Sequence, residues 1–175
     1  MSSLLHYIAL MAPDRIDDQV RRHKLFMLEK FQCRAALKSA AHITLVPPFH
    51  LKEEAQFQIC SMLDRIAAAQ NPFDITLNGY DHFGKRVIFI QVIAPTQLST
   101  LQEQLDYSFQ QTLPGIITNR SRVFHPHITI ANRDLKPHDF GAAWDYCMQH
   151  PFHDSFRVDM LHLLQLQHTS WEIIH

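Results

Sequence analysis

Ala41-His42-Ile43-Thr44-Leu45-Val46-Pro47-Pro48-Phe49 is the stretch on which the fold turns. Polar and apolar groups alternate from 42 to 45. This predicts a strand with His42 and Thr44 on one face and Ile43 and Leu45 on the other. The stretch has an echo in Phe124-His125-Pro126-His127-Ile128-Thr129-Ile130-Ala131-Asn132, offset by 127 − 42 = 85 residues. His-Ile-Thr followed by an aliphatic residue thus occurs twice, and each copy puts an imidazole and a hydroxyl on one strand face. Two such strands predict two related halves fused into one α+β body. If they lie side by side about a pseudo-two-fold axis, both pairs meet in one cleft.

The flanking sequence repeats a similar order of events around each motif. Upstream of the first, residues 4–10 are apolar and β-prone and stop at Ala12-Pro13-Asp14, where Asp14 is placed to cap a helix. That helix carries Ile16, Val20, His23, Leu25, Phe26, Leu28 and Phe31 toward the core, with Arg21, Arg22, Lys24, Glu29 and Lys30 on its polar side, and ends near Cys33. Pro47-Pro48 is expected to end the motif strand and Phe49 to open a loop, because proline cannot donate to a ladder. A helix over 53–70, strands over 73–80 and 86–93 joined by a hairpin at Gly84, and a helix over 96–112 follow. The second motif strand is expected over 124–131, then a helix over 139–149, strands within 152–167 and a last strand over 171–174. No Gly- or Ser-rich linker divides the chain, so residues 1–175 read as a single domain, with a monomer favoured.

Composition narrows the function classes. A net charge of −1 supplies no global basic field, so duplex DNA is not an expected partner and an anionic ligand must be held by a local cluster. The 3 cysteines are far apart and include no C-x-x-C pair, which fits a reducing cytoplasm. No window reaches the roughly 18 apolar residues of a spanning helix, and no membrane association is expected. The 13 histidines invite a metal reading, with His125 and His127 at the i, i+2 spacing of paired ligands and His50 just beyond the first motif. A zinc site needs three or four ligands, and no Asp, Glu or Cys stands beside these pairs, so the reading is without metal or cofactor.

A site with two imidazoles and two hydroxyls suits phosphoryl transfer. One neutral imidazole takes the proton of the attacking oxygen, one imidazolium protonates the leaving oxygen, and hydroxyls hold the non-bridging oxygens. The two roles need opposite protonation states, so the activity should be bell-shaped in pH. Arg120, Arg122 and Arg133 flank the second motif as candidate phosphate ligands, with solvated loop charge as the competing reading. His125 is a candidate for a packing or phosphate-adjacent role. Phe49 and Phe124 bracket the motifs as candidate base-stacking residues, while Phe83, Tyr80 and Trp171 read as core.

The doubled pattern, His42-Ile43-Thr44-Leu45 and His127-Ile128-Thr129-Ile130, resembles that of the two-histidine (2H) phosphoesterase superfamily, which includes bacterial 2′-5′ RNA ligase and cyclic phosphodiesterase proteins. The element order is similar over nearly the whole chain. The resemblance implies a bilobal fold of two interleaved lobes, each an antiparallel-rich sheet with helices on its outer face, around a central groove that carries both motifs. It implies metal-independent chemistry on a 2′,3′-cyclic phosphodiester or a 2′-5′ linkage at the end of an RNA or a small nucleotide. His42 and His127 would then be the acid and base, in an order left open, and Thr44 and Thr129 would bind the phosphate. Arg133 stands one place out of register with the basic residue that follows the second motif in bacterial relatives. Two competing readings are an RNA-end or nucleotide binding module without turnover, and a metal-dependent hydrolase built on His125 and His127.

Overall fold

Ile43, Leu45, Ile128 and Ile130 are at most 2 % exposed. The apolar faces of both motif strands therefore point into the core, and His42, Thr44, His127 and Thr129 are left on the opposite face. The computed structural model describes residues 3–116 and 123–175. Along the chain lie β1 Ser3–Met11, α1 Asp14–Phe31, a 3₁₀ turn Ala35–Lys38, β2 His42–Lys52, α2 Glu53–Ala69, β3 Phe73–Phe83 and β4 Val87–Ile93. There follow α3 Thr96–Thr112, β5 His127–Ala131, α4 Phe140–Gln149, β6 His153–Val158, β7 His162–Gln167 and β8 Ser170–Ile173.

The strands form two four-stranded antiparallel sheets, in the orders β2-β1-β7-β8 and β5-β4-β3-β6. These sheets are not the two halves of the sequence. The expected block of strands within 152–167 divides at 159–161: β6 pairs with β3 in the second sheet, and β7 crosses to pair with β1 in the first. A C-terminal hairpin thus completes the sheet that carries the N-terminal motif. Each motif strand lies at an edge of its own sheet.

The helices cover the faces turned away from the motifs. α2 and α3 pack on each other and on β2, with the Phe49 ring edge-on to Phe109 at 4.8 Å. Although α1 follows β1, it packs under the second sheet against β5, and its Phe26 stacks on Tyr146 of α4 at 3.5 Å. The β3–β4 connection turns at Gly84, whose φ of +58° favours glycine. Among the described residues, no helix is long and apolar enough to cross a membrane.

Several expectations need correction: Pro13 and not Asp14 is the cap of α1, Leu25 is 43 % exposed, β5 starts at His127 and not at 124, and three further differences bear on the site. β2 does not stop at Pro47: it continues through Pro47 and Pro48 to Lys52. It is an edge strand, and Pro47 and Pro48 sit at a shift in its register with β1, between Val46 opposite Ile8 and Phe49 opposite His6, so neither proline is asked for a ladder bond. Phe49 therefore lies inside a strand, 3 % exposed and packed on Phe109, and belongs to the core and not to the groove edge. Lys24 is not on the polar side of α1. It shares the buried stripe of Ile16, Val20 and Met27 and is 4 % exposed.

Candidate active site

β2 and β5 are the facing edges of the two sheets and approach one another within contact distance. In the first sheet His42 lies opposite Met11 and Thr44 opposite Ala9. In the second, His127 lies opposite Gln91 and Thr129 opposite Phe89. All four motif side chains are half-buried. His127 is one of the groups that disfavour a proton on His42.

Both histidines are anchored in the same way. His42 Nδ1 donates to the Ala40 carbonyl at 2.8 Å, and His127 Nδ1 donates to the His125 carbonyl at 2.7 Å. In each case the acceptor is two residues upstream. A carbonyl oxygen can only accept, so Nδ1 carries the proton in the neutral ring and Nε2 keeps its lone pair. Both rings are thereby set in the tautomer that can take a proton at Nε2.

The surroundings of the two rings differ. Burial is the main influence that pushes His42 down to about 4. The bond to Ala40 opposes the shift, the Lys24 ammonium and His127 add to it, and the Asp17 carboxylate opposes it. Lys24 Nζ donates to the Ser39 carbonyl at 2.9 Å, and the Ser39 hydroxyl lies 3.2 Å from His42 Nδ1 and 2.6 Å from the Tyr7 hydroxyl. The Tyr7 ring packs on His42 at 5.0 Å and meets Trp171 edge-on at 4.5 Å. Burial pushes the Tyr7 phenol up to about 12, so it stays a neutral hydrogen-bonding group.

His127 sits instead against aromatic rings, Phe83 at 5.2 Å and Phe89 at 4.9 Å. Burial lowers its pKa, with His125 adding to the effect and the bond to the His125 carbonyl opposing it. Among the described residues, no lysine or arginine contributes to that shift. A buried ammonium thus stands behind one imidazole and aromatic carbon behind the other.

Phe83, His125, Asn132 and Arg133 line the second-motif end of the groove together with His127 and Thr129. Arg133 is exposed, adopts φ +54°, and its carbonyl accepts from Arg86 Nη2 at 2.7 Å. His125 is exposed, with its ring 5.2 Å from Phe83. Phe124 is partly buried against the main core, as is Tyr80 more fully, whereas Phe83, read as core from sequence, is 42 % exposed at the groove. Arg120 and Arg122 lie outside the described residues. Among the described residues, no group of three His, Cys, Asp or Glu side chains is arranged to hold a metal ion. Sequence reasoning missed Lys24, Ser39, Tyr7 and Trp171. Only Lys24 left a signal, its place on the i, i+4 grid of Ile16 and Val20.

A family model described as the 2′-5′ RNA ligase superfamily matches residues 12–169. The chain belongs to this superfamily. It is 30 % identical over 136 residues to a protein of Oceanobacillus iheyensis named "Putative phosphoesterase OB1230", covering 75 % of each chain. Among solved structures it resembles TT0787 of Thermus thermophilus, with TM-score 0.72 and 17 % identity over 98 % of this chain and 96 % of that one. It also resembles E. coli LigT complexed with 3′-AMP, with TM-score 0.68 and 21 % identity over 99 % and 97 %. These two likenesses establish the shared two-lobed α+β fold. Membership of the 2′-5′ RNA ligase superfamily supports a phosphoesterase activity.

Proposed function

We propose that the chain is a metal-independent phosphoesterase acting on a 2′,3′-cyclic phosphodiester or a 2′-5′ linkage at the end of an RNA or nucleotide, with His42 as general base and His127 as general acid. The observation that carries this reading is the matched pair of Nδ1 anchors, which leaves Nε2 of both imidazoles for proton exchange. The order of roles follows from the asymmetry behind the rings. Lys24 favours neutral His42, and a neutral ring is what a base must be.

In the hydrolytic direction a water oxygen bonds to phosphorus while its proton passes to His42 Nε2. The bond from phosphorus to one ribose oxygen breaks, and that oxygen takes the Nε2 proton of imidazolium His127. The product is a phosphate monoester, and return of a proton from His42 to His127 through solvent resets the site. Thr44 and Thr129 donate their hydroxyls to the non-bridging oxygens, where negative charge grows. Arg133 adds a guanidinium at the His127 end, and Phe83 offers a ring face to a base. The 3′-AMP held by E. coli LigT is a nucleotide monoester of the type that ring opening releases.

The test is hydrolysis of adenosine 2′,3′-cyclic phosphate in the presence of EDTA. The reading expects turnover by the unmodified protein and a loss of about 10²- to 10⁴-fold in His42→Ala and in His127→Ala. Nucleotide binding without any product would favour a binding module, and dependence on added metal would favour the metal-dependent hydrolase.

A further inference from the structure

Behind His42, on the side of its anchored Nδ1, a second cavity of about 170 Å³ opens between α1, the 3₁₀ turn and β8. Such a volume far exceeds the roughly 10–15 Å³ that admits one water. Arg21, Lys24 and Lys38 line it with Asp17, Ser39 and Trp171, three cations against one carboxylate. That carboxylate is already engaged, since Asp17 Oδ1 accepts the Ala41 amide at 2.6 Å. Lys24 is buried, yet among the described residues its ammonium, with three donors, bonds only to the Ser39 carbonyl. Buried polar groups are normally paired, and here the unused donors border a cavity.

We infer that this cavity is a second anion subsite, which takes the phosphodiester one nucleoside away from the reacting phosphate. The substrate is then an oligonucleotide end in preference to a mononucleoside. The identity of the ligand as part of the substrate rests on the proposed function, while the anion site itself does not. The cavity adjoins the groove at His42, which residues of the cavity wall contact. Ser39 and Ala40 line the cavity and touch His42 Nδ1, and Trp171 reaches His42 through Tyr7. A phosphate on Arg21, Lys24 and Lys38 would make charge-assisted hydrogen bonds, and Trp171 presents a π surface for the neighbouring base. An anion there also offsets the Lys24 charge that bears on His42, so occupancy of the cavity and the proton affinity of the base are coupled.

Trp171 is the reporter. In a Trp144→Phe background its emission is titrated with inorganic phosphate, then with adenosine 2′,3′-cyclic phosphate and with the ApA dinucleotide ending in a 2′,3′-cyclic phosphate. The proposal expects a saturable phosphate response that survives Thr44→Ala/Thr129→Ala and is lost in Arg21→Ala/Lys38→Ala, two exposed positions whose truncation leaves the core intact. It expects the dinucleotide to bind about tenfold or more tightly than the mononucleotide, an advantage worth one charge-assisted hydrogen bond that the Arg21→Ala/Lys38→Ala protein lacks. No phosphate response, a response that disappears with the threonines, or a dinucleotide advantage unchanged in Arg21→Ala/Lys38→Ala overturns it. Binding is read without turnover. A hydrolase with no such response therefore refutes the subsite alone, and a protein that binds phosphate at Trp171 but never hydrolyses refutes the proposed activity alone.

Discussion

The carbonyls of Ala40 and His125 do for His42 and His127 what a carboxylate does in many acid–base sites: they fix the tautomer and the ring direction. Because they are backbone groups they add no negative charge, and burial keeps both rings below the ordinary histidine range. A base with a lowered pKa remains competent in acid. Lys24→Met removes a cation that disfavours protonation of His42, so the pKa of His42 should rise and the acidic limb of the kcat/KM profile should move to higher pH. An unmoved limb would separate Lys24 from the base. Thr44→Ala is expected to cost about 10²- to 10³-fold in kcat, the usual effect of losing one donor to a developing oxyanion, with a smaller change in KM. The doubled His-x-Thr pattern made it legible from sequence that His42, Thr44, His127 and Thr129 lie on the strand faces turned away from the core. The i, i+4 place of Lys24 was outweighed because a lysine on a helix reads as solvated unless its partner is known. That partner, the Ser39 carbonyl, is a backbone atom 15 residues away.

At the level of elements, alternation in β2 and β5 turns one face to the core and presents the other to the groove. Ile43→Ala or Ile128→Ala should therefore lower stability by about 2–5 kcal/mol in urea denaturation, because each empties a fully buried site. Strand and helix positions were readable because the apolar periods are strong and the breaks at Pro13, Asn71-Pro72 and Pro95 are sharp. Two features were not readable. Whether Pro47 and Pro48 end a strand depends on its register with its neighbour, and only the pairing shows that β2 is an edge that shifts against β1 there. Residues 152–167 carry apolar groups in both of their strands, and nothing local says that β6 and β7 join different sheets. Partner choice is a tertiary property, set by which edges remain open when the helices have packed.

Across the whole molecule, carboxylates in and just beyond the second sheet hold the elements that precede β2. Asp134, three residues beyond β5, accepts the amides of Arg34 and Ala35 at the start of the 3₁₀ turn, and Asp154 of β6 holds Arg15 and Gln19 of α1. The 3₁₀ turn leads directly to Ser39 and Ala40, so Asp134→Ala should loosen the seat of His42, seen as faster amide exchange at 35–42. Stability should also vary with pH in a defined direction. His42 titrates near 4 when folded, against 6.5 for the free side chain, and His127 is also lowered, so between these values the unfolded chain binds more protons. Their contribution is complete above about pH 6.5 and declines as pH falls toward 4, and His42→Gln should flatten that decline in chemical denaturation.

The claim that joins these scales is that two strands from two sheets bring two imidazoles to one phosphate as a single acid–base unit. Single-turnover hydrolysis of adenosine 2′,3′-cyclic phosphate, compared among His42→Ala, His127→Ala and the double variant, measures that unity most directly. Residues acting as a unit are strongly non-additive. The account predicts that each single change abolishes nearly all of the rate and that the second adds little to the first. Near-native turnover in either single variant, or losses in the double variant that multiply independently, would contradict it.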